Sequence, residues 1–191
     1  MVRKKNILGI VILAAIVAAI FLVNNFAVIK TMFHGKRVVN INVTKITDEQ
    51  DVVYYTPGLE KLNKLESLRI VAHEETNYKY LSKMNDLQEL ELFYLMSYCG
   101  RLETLPELPN LKKLTVVGGV KDESNFTLSD EYEYNFSSIE TLEIEFFTTI
   151  DCDALKHFEN LSTLKISALI NDLTEEQIEE LQSRGITVEI R

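Results

Sequence analysis

Three histidines, two cysteines and a few runs of acids are the side chains that could do chemistry in this chain, and their spacing decides what that chemistry would be. His34, His73 and His157 are scattered, so no pair has the HExxH spacing that sets two imidazoles on one helix face around zinc. No Gly-x-Ser-x-Gly turn presents a nucleophile. His73-Glu74-Glu75 falls where a strand pattern turns outward and reads as a polar turn rather than a metal site. Asp130-Glu131-Glu133 and Asp151-Cys152-Asp153 could collect calcium, but neither has the glycine and spaced oxygen ligands of a calcium loop. Both are expected to be solvated acids. The sequence therefore offers no catalytic residue, no metal ligand and no cofactor site, and an enzyme is the least favoured class.

What must position these side chains is a chain of two unlike parts. Residues 7–29 are almost wholly apolar, interrupted by Asn24 and Asn25. At helical rise they span a bilayer core of roughly 30 Å. Arg3, Lys4 and Lys5 precede the run and Lys30, Lys36 and Arg37 follow it; the tighter cluster, with the α-amino group, favours a cytoplasmic N-terminus. A cleaved signal peptide is the competing reading, but the run is long for an h-region and Asn25-Phe26-Ala27 is a poor cleavage site. The expectation is an uncleaved signal anchor. Past it the chain carries all 29 carboxylates against 17 basic side chains, a formal charge of −12. So acidic a domain repels nucleic acid and anionic lipid surfaces.

From residue 59 onward one apolar phrase returns, LxxLxxLxxLxL. Its clearest copies are Leu59-Leu62-Leu65-Leu68-Ile70, Leu81-Met84-Leu87-Leu90-Leu92, Leu105-Leu108-Leu111-Leu114-Val116 and Leu155-Phe158-Leu161-Leu164-Ile166. Phe136-Ile139-Leu142-Ile144 is a shorter copy, and Ile178, Leu181, Ile186, Val188 and Ile190 close the series. Taking the fourth apolar position as marker gives Leu68, Leu90, Leu114, Leu142, Leu164 and Val188, at steps of 22, 24, 28, 22 and 24 residues. LxxL alone suits an amphipathic helix, whereas the closing L-x-L has period two and marks a strand.

With about six copies at this period, the chain resembles the leucine-rich-repeat family over some 130 residues. The resemblance implies an α/β fold: a leucine-rich-repeat solenoid with parallel strands on its concave face and irregular or helical return arms, here with one N-terminal transmembrane helix. The expected organisation is a basic cytoplasmic tail (1–6), the transmembrane helix (7–29), a linker (30–36), an N-terminal capping strand region (37–54) and the repeat domain (55–191). The family places Asn or Cys five residues after the marker, where this chain has His73, Leu95, Gly119, Phe147 and Leu169. The return arms should therefore depart from the consensus. Arg37 to Lys45 alternates and is expected as one capping strand. The 28-residue step holds a polar, acidic insertion, Gly118 to Tyr134, expected as a protruding loop. Thr174 and Gln177 have capping-box spacing, opening a helix through Gln182 or Ser183 that Gly185 stops.

If the leucines of each strand face inward, their neighbours line the concave face. The candidate partner-binding residues are Arg69, Val71, Glu89, Glu91, Phe93, Lys113, Thr115, Val117, Glu143, Lys165 and Glu189, with Ser67, Thr141, Thr163, Thr187, Glu145, Ser167 and Arg191 completing the columns. Both charges with a few exposed apolar groups suit a protein or peptide ligand; the plainer reading is a solvated face of cross-strand pairs such as Arg69 with Glu91. Phe146, Phe147, Tyr132 and Tyr134 are either an aromatic patch or filling for an irregular return arm. Cys99 and Cys152 lie two repeat steps apart, beyond disulfide reach, and are expected as largely buried thiols.

The function expected is that of a single-pass, membrane-anchored protein of a bacterial surface or envelope, whose extracytoplasmic repeats bind a protein or peptide. The alternative is a structural subunit of a membrane complex whose transmembrane helix makes the specific contact. Self-association is expected through small residues of that helix (Ala14/Ala18, Ala15/Ala19) or through the edge strand Thr187 to Ile190.

Overall fold

The structure is a computed structural model that describes residues 37–42, 44–47, 52–55, 64–72, 76–94, 102–119, 125–167 and 173–191, with side chains described from residue 64 onward. The expected transmembrane helix at 7–29, the tail 1–6, the linker 30–36, His34, His73 and Cys99 lie outside the described residues. Among those described, no helix is long and apolar enough to cross a membrane.

The repeated phrase folds as its two periods dictate. In the LxxLxxL part, apolar residues donate their backbone N–H groups to the carbonyl of the apolar residue three positions before at most steps. Examples are Met84 to Leu81 (2.8 Å), Leu87 to Met84 (3.1 Å), Leu111 to Leu108 (3.0 Å), Ile139 to Phe136 (3.0 Å) and Leu161 to Phe158 (3.2 Å). Such i to i−3 bonding has three residues per turn, so every third side chain points the same way. That is why the spacing is three and never the three-and-four of an α-helix. The turns tighten into 3₁₀ segments at Tyr78–Lys83, Leu102–Thr104 and Cys152–His157.

The L-x-L part forms strands. In chain order the strands are β1 (Arg37–Asn42), β2 (Thr44–Thr47), β3 (Val52–Tyr55), β4 (Ser67–Ala72), β5 (Glu89–Tyr94), β6 (Lys113–Val117), β7 (Asn125–Phe126), β8 (Thr141–Glu145), β9 (Thr149–Ile150), β10 (Thr163–Ile166) and β11 (Thr187–Ile190). Seven make one parallel sheet in the order β1-β4-β5-β6-β8-β10-β11, so neighbours in space follow each other along the chain. The register sets Leu68, Leu90, Leu114, Leu142, Leu164 and Val188 side by side, as the marker spacing predicts. Their side chains and those two residues on point to the turn side. From Leu68 to Ile166 all ten of these are at most 2% exposed. A side chain so buried contributes roughly 1.5–3 kcal/mol. Ile190, by contrast, is 59% exposed on the last strand of the sheet.

Just before each strand a single carbonyl accepts two N–H groups of the next step. Glu66 takes those of Gln88 and Glu89, Gln88 those of Lys112 and Lys113, Lys112 those of Glu140 and Thr141, and Glu140 those of Ser162 and Thr163. Two residues earlier a side-chain ladder runs in the same direction. Asn110 Nδ2 donates to the Asn85 carbonyl (2.8 Å), Ser138 Oγ to Leu108 (2.9 Å) and Asn160 Nδ2 to Ser137 (2.6 Å). The polar ladder that the sequence lacks after the strand thus has a counterpart before it.

Two expectations are corrected. The N-terminal strand ends at Asn42 instead of Lys45, because the Val38-Val39 doublet breaks the alternation and pairing with β4 slips by one residue before Ile41. An antiparallel hairpin, β2 with β3, follows it. The insertion is no simple protruding loop, since β7 pairs with β9 and Phe126 is fully buried, edge-on to Phe147 at 5.9 Å. An apolar residue inside the acidic stretch brings it back to the core. The last segment folds as its caps require: helix α1 (Glu175–Ser183) opens on a reciprocal Thr174–Gln177 capping box and ends at Gly185, whose φ is +84°.

Candidate functional site

The sheet face opposite the leucines is open, and its columns are set by the same register. Arg69, Glu91, Thr115, Glu143, Lys165 and Glu189 stand abreast in one row; Ser67, Glu89, Lys113, Thr141, Thr163 and Thr187 in another; Val71, Phe93, Val117 and Glu145 in a third. Cross-strand pairing brings opposite charges together. Arg69 bonds Glu91. Lys113 Nζ is 2.5 Å from Glu143 Oε2, and Arg191 Nη1 is 2.8 Å from Glu143 Oε1. Lys165 and Arg191 both reach Glu189, at 3.3 and 3.2 Å. Ser67 Oγ donates to Glu89 at 3.2 Å.

All eleven candidate binding residues lie on this face, but not all are accessible. Thr115 (8% exposed), Val117 (3%) and Glu143 (5%) are buried. They sit mid-sheet, where side chains of both neighbouring strands close over a short residue, and Glu143 is enclosed by the two cations it binds. Val71 and Phe93 are half-buried rather than exposed.

At the C-terminal ends of β8 and β10 the face opens into a cavity of about 190 Å³, lined by Glu143, Glu145, Phe146, Lys165, Ser167 and Arg191, with Ile144 and Ile166, whose side chains are buried on the turn side, beneath it. The backbone of Phe146 has φ +57°, the left-handed region that a bulky residue rarely occupies. It turns the chain sharply, so consecutive phenylalanines go opposite ways: Phe147 is fully buried and Phe146 is 46% exposed on the cavity rim. Gly118 braces the bend. Its N–H donates to the Glu145 carbonyl at 2.8 Å, and a Cβ there would stand 2.8 Å from the Phe146 carbonyl oxygen and 3.1 Å from the Phe147 ring.

The two carboxylates of β8 are tuned in opposite directions. Burial works to raise Glu143, but the Lys113 hydrogen bond and the charges of Lys113, Arg191 and Lys165 outweigh it and hold the carboxyl below its ordinary value. Burial pushes the Glu145 carboxyl up; the charges of Glu143 and Glu91 and the hydrogen bond to Glu143 push it further, against Lys113. Among the described residues the cations of the face are taken by Glu91, Glu143 and Glu189, which leaves Glu145 without an ion pair.

The other acidic clusters have structural partners. Asp130 bonds Lys156 Nζ at 2.8 Å and lies 3.3 Å from His157 Nε2, tying the insertion to a return turn. Asp151 Oδ1 accepts from the Asp153 N–H and caps the 3₁₀ segment. Cys152 is in no disulfide among the described residues and is partly buried. Tyr134 stacks on Phe136 at 5.1 Å and Phe136 on Phe158 at 4.4 Å, so these rings fill the turn side, while Tyr132 is 50% exposed. Sequence reasoning missed the cavity and the role of Phe146. The FF doublet directly after a strand was the available signal, because alternation cannot bury both rings. No family model and no curated protein matches this chain.

Proposed function

We propose that the parallel sheet and its turns form a leucine-rich-repeat solenoid whose open, concave face binds a protein or peptide partner. Residues 7–29 would hold it in a membrane as a signal anchor, with the N-terminus cytoplasmic and the repeats outside. Binding, not catalysis, is the proposed task. The observation that carries the reading is the open face itself: in-register columns of paired charges that run into a cavity with an exposed aromatic rim. Extended surfaces of this kind are what stacked repeats use for recognition, and a polar face with an aromatic anchor point suits a polypeptide ligand.

The test selects peptides from a displayed library on the full-length chain in detergent, then measures their dissociation constants against two sets of variants. Arg69→Ser and Glu91→Ser, on the open face, should weaken binding at least about tenfold. Lys79→Ser and Glu159→Ser, on the turns, should not. Equal effects of both sets would overturn the reading. Replacing residues 7–29 with an unrelated anchor separates it from a structural-subunit role, because peptide binding survives that exchange only if the repeats are the recognition element.

A further inference from the structure

We propose that the cavity beside Phe146 takes one cationic side chain, lysine or arginine, of a peptide laid across the open face. This rests on the reading of that face as a peptide-binding surface and adds which side chain anchors the ligand.

Size comes first. About 190 Å³ is below the roughly 300 Å³ at which pockets for drug-sized ligands begin. A volume of this order suits a single side chain. The lining then selects the charge. Lys165 and Arg191 already bind Glu189 and Glu143, so an anion entering the cavity would compete with carboxylates in place. Glu145 is the one lining charge left out of these pairs among the described residues. A cation arriving there completes a pair that the fold leaves open. Its approach is favoured at longer range too, since the chain carries a formal charge of −9.

The rim supplies the second attraction. Phe146 lines the cavity and is 46% exposed, held there by its left-handed backbone and by Gly118 behind it. An ammonium or guanidinium group near an aromatic face is drawn to the ring quadrupole. An acidic side chain would instead meet Glu145 and Glu143, and a neutral one would leave Glu145 without an ion pair.

Four acetylated, amidated tripeptides, Gly-X-Gly with X as lysine, arginine, norleucine or glutamate, provide the probes. Each is titrated into the full-length chain in detergent micelles and followed by ligand-observed NMR. Saturable binding of the lysine and arginine peptides is expected, with the norleucine and glutamate peptides at least about tenfold weaker. Glu145→Gln should abolish that preference, and Phe146→Leu should weaken both cationic peptides while the fold, read by circular dichroism, is kept. Should Glu145→Gln fail to fold, Phe146→Leu decides. Glutamate or norleucine binding as well as lysine, no detectable binding of either cationic peptide to about 10 mM (a gain under 3 kcal/mol), or indifference to the folded variants would overturn the proposal. Failure of the parent reading looks different. Selected peptides sensitive to Arg69 and Glu91 but not to Glu145 would sink only this inference. Cationic tripeptides that need Glu145, without any peptide that needs Arg69 or Glu91, would sink only the extended face.

Discussion

Arg191 and Glu143, 48 residues apart in the chain, are joined by a 2.8 Å charged hydrogen bond that passes over β10. The guanidinium follows β11 and the carboxylate belongs to β8, two strand spacings away, a span of roughly 10 Å between backbones. Glu143 also holds Lys113, from β6, through its other oxygen at 2.5 Å. One buried carboxylate therefore joins residues of β6, β8 and the end of β11 across the open face.

Replacing Glu143 with Gln should destabilise the protein by about 1–3 kcal/mol at neutral pH, less than a fully buried pair because both cations stay partly exposed. The folded-state pKa of Glu143 is lowered, so its contribution is complete above the ordinary carboxylate value and is lost as pH falls through the folded one. Urea midpoints of the wild type and Glu143→Gln should differ clearly at pH 7 and converge as pH falls below the lowered folded-state value of Glu143. A constant difference across that range would separate the stability effect from this titration.

Glu145→Gln should act in the opposite sense. A carboxyl whose folded pKa is raised costs stability once both states are ionised, and costs nothing when both are protonated. The variant should thus have the higher urea midpoint at pH 7, and the gain should vanish as pH falls below the ordinary carboxylate value. A lower midpoint at pH 7 would mean that Glu145 has a favourable partner in the folded protein.

In the core, Leu90 and Leu114 are 1% and 0% exposed between adjacent strands. Truncating either to Ala should cost about 2–5 kcal/mol. Glu89→Ala, on the exposed row beside them, should stay within about 0.5 kcal/mol. Denaturation at equilibrium measures all three, and a reversed order would place the wrong face of the sheet inward.

Gly118→Ala should destabilise by about 1–3 kcal/mol, the usual cost of overpacking, because the new Cβ meets a backbone oxygen at 2.8 Å that cannot swing aside. Relaxation would have to move the Phe146 bend. The variant should therefore also weaken any ligand that needs Phe146, and unchanged stability together with unchanged binding would show that Gly118 does not brace that bend.

The strands and their register were legible in the sequence, because the marker leucines repeat at every step and a period of two has one inward face. Accessibility on the outward face was not. Thr115, Val117 and Glu143 have outward positions yet are buried, since coverage there depends on the length of neighbouring side chains in three strands at once. The ladder formed by Asn110, Ser138 and Asn160 also escaped, because Asn and Ser in a polar turn look like ordinary solvated residues. Phe126 went unread for the opposite reason: the polar stretch around it masked one apolar anchor. The left-handed Phe146 breaks the rule that such backbone belongs to glycine or asparagine, and without it the cavity has no rim. Strain of that kind is invisible to patterning and tends to gather at sites of function.

The most direct measurement places a photoreactive phenylalanine analogue singly at Glu91 and Lys165 on the open face, and at Lys79 and Glu159 on the turns, in the chain expressed in cells. Adducts are read by mass after illumination of intact cells. A recurrent polypeptide adduct from Glu91 and Lys165, absent from Lys79 and Glu159, is the expected result. The same adduct from the turn positions, with the open face silent, would contradict recognition by that face.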